Sequence, residues 1–444
     1  MKRLLIVNAK IINEGEIGSG DVFVRNGRIE AIGSSLGHKP ADRVIDAEGR
    51  ALFPGMIDDQ VHFREPGLTH KGCIASETRA AVAGGITSIM EMPNTEPATT
   101  TRELLSQKFQ LAHKQAFANY SFYLGATNTN LEDIKAVKPE ETCGIKVFMG
   151  SSTGDLLVDD PLALAGIFEQ APVLVATHCE DDPTIAANLA RFKSQYGMDI
   201  PMQCHPLIRS ETACYRSSAH AVALARQYDT RLHILHLTTA RELDLLSDAP
   251  LEQKRITGEV CVHHLYFSDA DYAAKGTWIK CNPAIKTDTD RKALLDAVAG
   301  NRIDVIATDH APHTAAEKQH PYLKAPSGLP LVQHAFMALL EHYHAGVLTL
   351  PIIAEKTSHA PARLFEIKER GFIREGYWAD LTLVDLAQPF EVNAHPIWYQ
   401  CGWTPFEGIT FKSSIVATVV SGHLAYHAGT PSSTPAGRRL EFER

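Results

Sequence analysis

None of the eight cysteines stands in a Cys-x-x-Cys pair, and at 444 residues the chain is far longer than the small secreted folds that disulfides hold together. Free thiols in a reducing, cytoplasmic setting are expected, most of them as small core residues. No apolar run approaches the ~20 residues needed to span a bilayer. The stretch from Met1 to Val7 has two basic residues and a short apolar run, but Asn8 and Lys10 end it and no small-residue cleavage site follows. It reads as a first strand, not a signal peptide. A concentrated charge of one sign is also missing. The net charge of -9 gives no electrostatic reason to bind nucleic acid or an anionic membrane. There is no internal repeat and no low-complexity run.

What is present is an alternation. Eight buried strands are predicted at Ile57–His62, Thr87–Met92, Tyr120–Gly125, Gly144–Met149, Val173–His178, Leu232–His236, Ile256–His263 and Asp304–Asp309. Helical patterns separate most of them, among them Glu103–Ala116, Leu162–Gln170, Ser210–Tyr228 and Asp290–Val298. Strand–helix alternation argues for a parallel sheet, and eight units closed on themselves make a (β/α)8 barrel. Both ends differ from this middle. Short strands broken by Gly and Asn, with Asn26-Gly27 as a hairpin turn, recur near the C-terminus around Ser421-Gly422. The predicted organisation is a composite β-sandwich domain from residues 1–53 and 373–430, a barrel over 54–372, and a polar, frayed tail over 431–444.

The polar residues of the middle fall where its strands run out, the position of catalytic groups in such barrels. In Ile145-Lys146-Val147-Phe148-Met149, period-two alternation sets Lys146 on the opposite face from Ile145 and Val147. A lysine buried there loses basicity, and a neutral amine can add CO2 to become a carbamate able to bridge two metals. His62, His178, His236 and Asp309 are the remaining candidate ligands, because imidazole and carboxylate suit Zn²⁺. His236 is preferred to His233, which lies mid-strand; His263 and His264 are left as supporting or structural residues. Asp309 can also move the proton between water and the leaving nitrogen. Arg64, Asn94 and His313 read as substrate groups, since an arginine fork matches a carboxylate.

These segments resemble the dihydroorotase family of the amidohydrolase superfamily. The resemblance runs from Phe53-Pro54-Gly55 to Asp309-His310-Ala311-Pro312-His313, and the β-rich termini match the family's small domain. Its specific motifs are His62-Phe63-Arg64-Glu65-Pro66-Gly67 and Met92-Pro93-Asn94-Thr95-Glu96-Pro97, the second separating dihydroorotases from allantoinases. It implies a zinc enzyme of pyrimidine synthesis, with one or two ions per subunit, that interconverts N-carbamoyl-L-aspartate and L-dihydroorotate. Lys146 would be carboxylated and bridge the ions, with His178 and His236 on one and His62 and Asp309 on the other. Arg64, Asn94 and His313 would grip the substrate carboxylate, Asn282 would touch the ring, and Thr153 or Ser152 would lie on a loop covering the product. A homodimer and a carbamoyltransferase partner are implied as well. The chain departs from the pattern at Gln60, where the family has a metal-binding histidine, and at Asn282-Pro283-Ala284-Ile285-Lys286. Two other readings follow: a related cyclic amidase acting on allantoin or hydantoin, and a silent homologue that scaffolds a carbamoyltransferase.

Overall fold

A computed structural model describes residues 2–150 and 156–444; Ser152 and Thr153 lie outside the described residues. All eight expected strands are present in a (β/α)8 barrel: Met56–Val61, Ile86–Glu91, Asn119–Phe122 continued by Leu124–Gly125, Ile145–Phe148, Val175–His178, Leu232–Ile234, Ile256–Cys261 and Val305–Ala307. They pair in parallel and in chain order. The ring closes where Val61 bridges His310 and the His62 N–H donates to the His310 carbonyl at 2.7 Å.

The intervening helices start where local chemistry satisfies their free N–H groups. Asp160 accepts from Leu162 and Ala163 ahead of Pro161–Gln170, and Ser210 accepts from Ala213 ahead of Glu211–Tyr228. Thr287 and Asp290 form a capping box before Asp288–Ala299. Ile145 and Val147 pack outward with helix residues Ile167 and Phe168. Inside the barrel, Ile57, Met90, Tyr123, Leu174 and Val305 form a separate core with Phe365.

Three expectations need correction. The seventh strand stops at Cys261, where its ladder to Ala307 ends, so His263 belongs to the short helix Val262–Tyr266. Residues 386–413 do not join the terminal sheet. They carry the small pair Phe390–Glu391 and Thr410–Phe411 and lie on the barrel, where the Trp403 indole N–H donates to the His313 carbonyl at 2.7 Å. The tail is not frayed. Leu440 N–H donates to Tyr120 O, and the Arg444 guanidinium donates to the carbonyls of Thr142, Cys143 and Phe365. It thus seals the end of the barrel opposite the strand C-termini.

The termini assemble one nine-stranded sheet. Strand Arg3–Asn13 is shared: Leu4–Val7 pair with Arg43–Asp46, while Lys10 and Ile11 pair with Ala51 and Leu52. The sheet therefore splits near Asn8 and folds around a core of Leu4, Val22, Ile29, Leu52, Leu381 and Val419. It is locked to the barrel by a buried polar node. Asp380 accepts from Arg370, from the Asn119 side chain at 3.1 Å and from the Ser421 N–H at 2.6 Å. Among the described residues no helix is long and apolar enough to cross a membrane.

Removing one partner of a buried ion pair costs roughly 3–5 kcal/mol, because the other charge stays buried alone. Asp380→Ala should destabilise the fold by about that amount, read as a lowered midpoint of thermal unfolding.

Candidate active site

At the C-terminal mouth of the barrel a cavity of about 280 Å³ gathers side chains from distant parts of the chain. Gln60, His62 and Arg64 come from the end of the first strand, and Asn94 follows the second. Lys146 and His178 come from the fourth and fifth strands, and His236, Asn282, Asp309 and His313 from later segments. Every residue expected at the site within the described residues therefore lines one cavity; Thr153 lies outside them.

The backbone is strained where it aims these groups. Arg64, His236 and Asp309 have φ of 72°, 39° and 50°, a left-handed region that costs non-glycine residues of order 1–3 kcal/mol each. The strands and their cross-connections hold them there. At Arg64, the preceding Phe63 N–H donates to Glu91 Oε1 at 2.9 Å, and Glu91 in turn meets the buried Lys108 at 3.2 Å. The Arg64 Nε then donates to the Pro312 carbonyl at 3.0 Å, which ties the first strand's exit to the last.

The imidazoles share one hydrogen-bonding logic. His62 Nδ1 donates to Asn94 Oδ1 at 2.7 Å, and Nε2 is turned inward, 3.0 Å from the Asp309 carboxylate. His178 Nε2 donates to Glu180 at 3.0 Å, which leaves Nδ1 facing His236 Nε2 at 3.0 Å. Glu180 is itself paired with Arg209. His236 Nδ1 is buried without a hydrogen-bond partner. Imidazoles held by an outer carboxylate or carbonyl, with the other nitrogen turned inward, are the arrangement of metal-binding histidines. Two ligands about 2.0–2.1 Å from a tetrahedral ion lie roughly 3.3 Å apart, close to the spacings found here. The donor set thus fits a divalent ion.

Burial sets the protonation states. It brings the Lys146 ammonium down to about 8, against the pull of Asp309 and Glu259; the nitrogen stands 4.6 Å above the Phe148 ring. Burial also lowers His62 and, together with His178 and Lys146, pushes His236 far below the usual imidazole range. For Asp309 burial acts in the opposite sense, but the His62 hydrogen bond and the nearby cationic groups outweigh it and its carboxyl ends lowered. His313 is held neutral by burial and by Arg64, Lys71 and Lys318. Its Nε2 is 3.1 Å from Arg64, and Lys71 approaches Nδ1 at 3.2 Å. One flank of the cavity is therefore strongly electropositive.

Gln60 departs from a ligand's geometry. Its amide nitrogen donates to Asp309 Oδ1 at 3.2 Å, and its oxygen is turned toward Cys261 Sγ, 3.9 Å away. Sequence reasoning missed the outer partners: Glu180, Lys71, and Glu77, which holds His310 at 2.8 Å. Only Glu180 left a signal, two residues past His178.

The description of the amidohydrolase family matches residues 51–425. Dihydroorotases from Methanosarcina acetivorans and Anoxybacillus flavithermus are 32% and 31% identical; the alignments cover 92% and 95% of this chain, and 89% and 97% of theirs. Among solved structures, the L-hydantoinase (dihydropyrimidinase) of Arthrobacter aurescens superposes with a TM-score of 0.94 at 24% identity, over 99% of this chain and all of that one. At that identity the likeness concerns the fold. The chain belongs to the amidohydrolase family and, within it, to the dihydroorotases, hydrolases that act on cyclic amides.

Proposed function

We propose that the chain interconverts L-dihydroorotate and N-carbamoyl-L-aspartate in pyrimidine synthesis, using zinc at the barrel mouth. The observation that carries this reading is the pairing, within one small cavity, of an inward-facing imidazole and carboxylate set with an electropositive flank suited to a carboxylate. His178 and His236 would hold one ion and His62 and Asp309 a second. Lys146 would bridge them after its neutral amine adds to CO2; an N–C bond forms, an N–H proton leaves, and the carbamate carries one negative charge. Bound there, zinc would acidify a water and polarise the ring carbonyl.

The chain's own groups do the rest. Arg64, Asn94 and His313 would orient the substrate carboxylate, and Asn282, whose Oδ1 is buried without a partner, would accept from a ring N–H. In ring opening Asp309 Oδ2 takes a proton from the attacking water and returns it to the ring nitrogen as the C–N bond breaks. Ring closure runs the same path backward. Thr153 is proposed for the loop over the product. A cytoplasmic homodimer is proposed with it, and a carbamoyltransferase partner remains part of the same reading.

Ring opening of dihydroorotate should exceed that of hydantoin by orders of magnitude in a direct assay; the reverse preference would sink the substrate assignment. Arg64→Met should raise KM for dihydroorotate about 10- to 150-fold, as the loss of a charged hydrogen bond worth roughly 1.5–3 kcal/mol requires. Lys146→Ala should abolish turnover and strip most of the zinc, measured by elemental analysis; full activity with normal zinc would defeat the carbamate bridge. Gln60→His should raise the zinc held per chain, and an unchanged count would mean that Gln60 already suffices or that no ion sits beside His62.

A further inference from the structure

Behind the cavity, inside the barrel, Asp59, His233 and Glu259 converge from the first, sixth and seventh strands, all fully buried. Their nitrogen and oxygen atoms lie within 4.8 Å of one another. His233 Nε2 is 3.2 Å from Asp59 Oδ2 and 3.8 Å from Glu259 Oε2. The first lacks the alignment of a hydrogen bond and the second is too long for one. Both Asp59 carboxylate oxygens, Glu259 Oε2 and His233 Nε2 are buried without a hydrogen-bond partner.

The neighbours fix what these atoms are. The Thr257 hydroxyl donates to the Leu232 carbonyl at 3.1 Å, so it can only accept from His233 Nδ1, 2.8 Å away. In the neutral ring His233 Nε2 is then a lone pair. It faces two carboxylates, so the interior holds three acceptors turned toward one another. Among the described residues neither carboxylate has a lysine or arginine partner. Such an arrangement in a dry core is costly unless a cation or a proton lies among them, and burial with Asp59 pushes the Glu259 carboxyl well above its ordinary range.

We propose that Asp59, His233 and Glu259 hold a divalent first-row metal ion, of the zinc or manganese kind, inside the barrel and apart from the cavity-lining groups. Two carboxylates and one neutral imidazole balance a 2+ charge. Ligands of a tetrahedral ion lie roughly 3.3 Å apart, and the spacings of 3.2 and 3.8 Å lie within a small adjustment of that value. Oxygen-rich donors with one imidazole suit zinc and manganese better than softer ions. The ion would be structural: Glu259 Oε1 accepts the His236 N–H at 2.9 Å, so a fixed Glu259 fixes the strained turn that aims His236.

This inference does not depend on the proposed reaction, and its test reads metal, not turnover. Crystals of the full chain grown with zinc chloride should show an anomalous peak at the zinc edge between Asp59 and His233 Nε2, separate from any peak beside His178 and His236. The absence of that peak overturns the proposal, whether or not the cavity holds zinc. In solution, Asp59→Asn should lower zinc content by one ion per chain relative to the unaltered protein, and an unchanged count overturns it. Glu259→Gln reads the same quantity if the first variant does not fold, and the crystal experiment needs neither.

Discussion

Everything at the barrel mouth follows from placing acids and imidazoles where little water reaches them. A buried carboxylate or lone pair must meet a proton, a donor or a cation. Here donors are rationed: Asn94 takes one nitrogen of His62, and Glu180 takes one nitrogen of His178. The remaining nitrogens turn inward, that of His62 toward the Asp309 carboxylate and those of His178 and His236 toward each other. That deficit of donors makes the site receptive to an ion. Lys146, set among the imidazoles, is itself drawn toward neutrality by burial, so it does not cancel the deficit.

The fold pays for this aim in backbone strain, offset by cross-links outside the cavity. Arg64 and Asp309 leave opposite sides of the barrel's closure with positive φ. They are held by the seam where His62 meets His310 and Arg64 meets Pro312. Closing the barrel and positioning the reactive groups are therefore one event. The segment 386–413 reinforces the same seam from outside, with Trp403 on the His313 carbonyl and the Gln400 N–H on Glu77.

Much of this was legible in the sequence because barrel strands are buried on both faces. Val175–His178 is apolar, short and ends on a polar residue, and the same pattern recurs around the ring. It located the strand ends and, with them, the cavity-lining residues. Tertiary pairing left no such trace. Nothing local in residues 437–444 tells that Leu440 would be buried or that Arg444 would find carbonyls from three segments. His263 looked like a strand end because Cys261 and Val262 are apolar, but helix or strand there depends on where the neighbouring strand stops. Period-two alternation allows only one of two adjacent residues to face inward. The register slip between Asp58 and Val61 lets both Asp59 and Gln60 do so.

That slip bears on the unusual glutamine. An imidazole at position 60 would offer a lone pair to the cavity, whereas the amide offers an N–H to Asp309 Oδ1. A donor favours the ionised carboxylate, so Gln60 works in the same direction as His62 and keeps Asp309 ready to accept a proton. The amide thus makes a hydrogen bond where an imidazole would present a lone pair, and it does so on one half of the site only. The His178 and His236 half keeps its inward nitrogens and its Glu180 support. The two halves are thus unequal: one pairs two inward imidazoles backed by an outer carboxylate, and the other sets an amide and an imidazole against the Asp309 carboxylate.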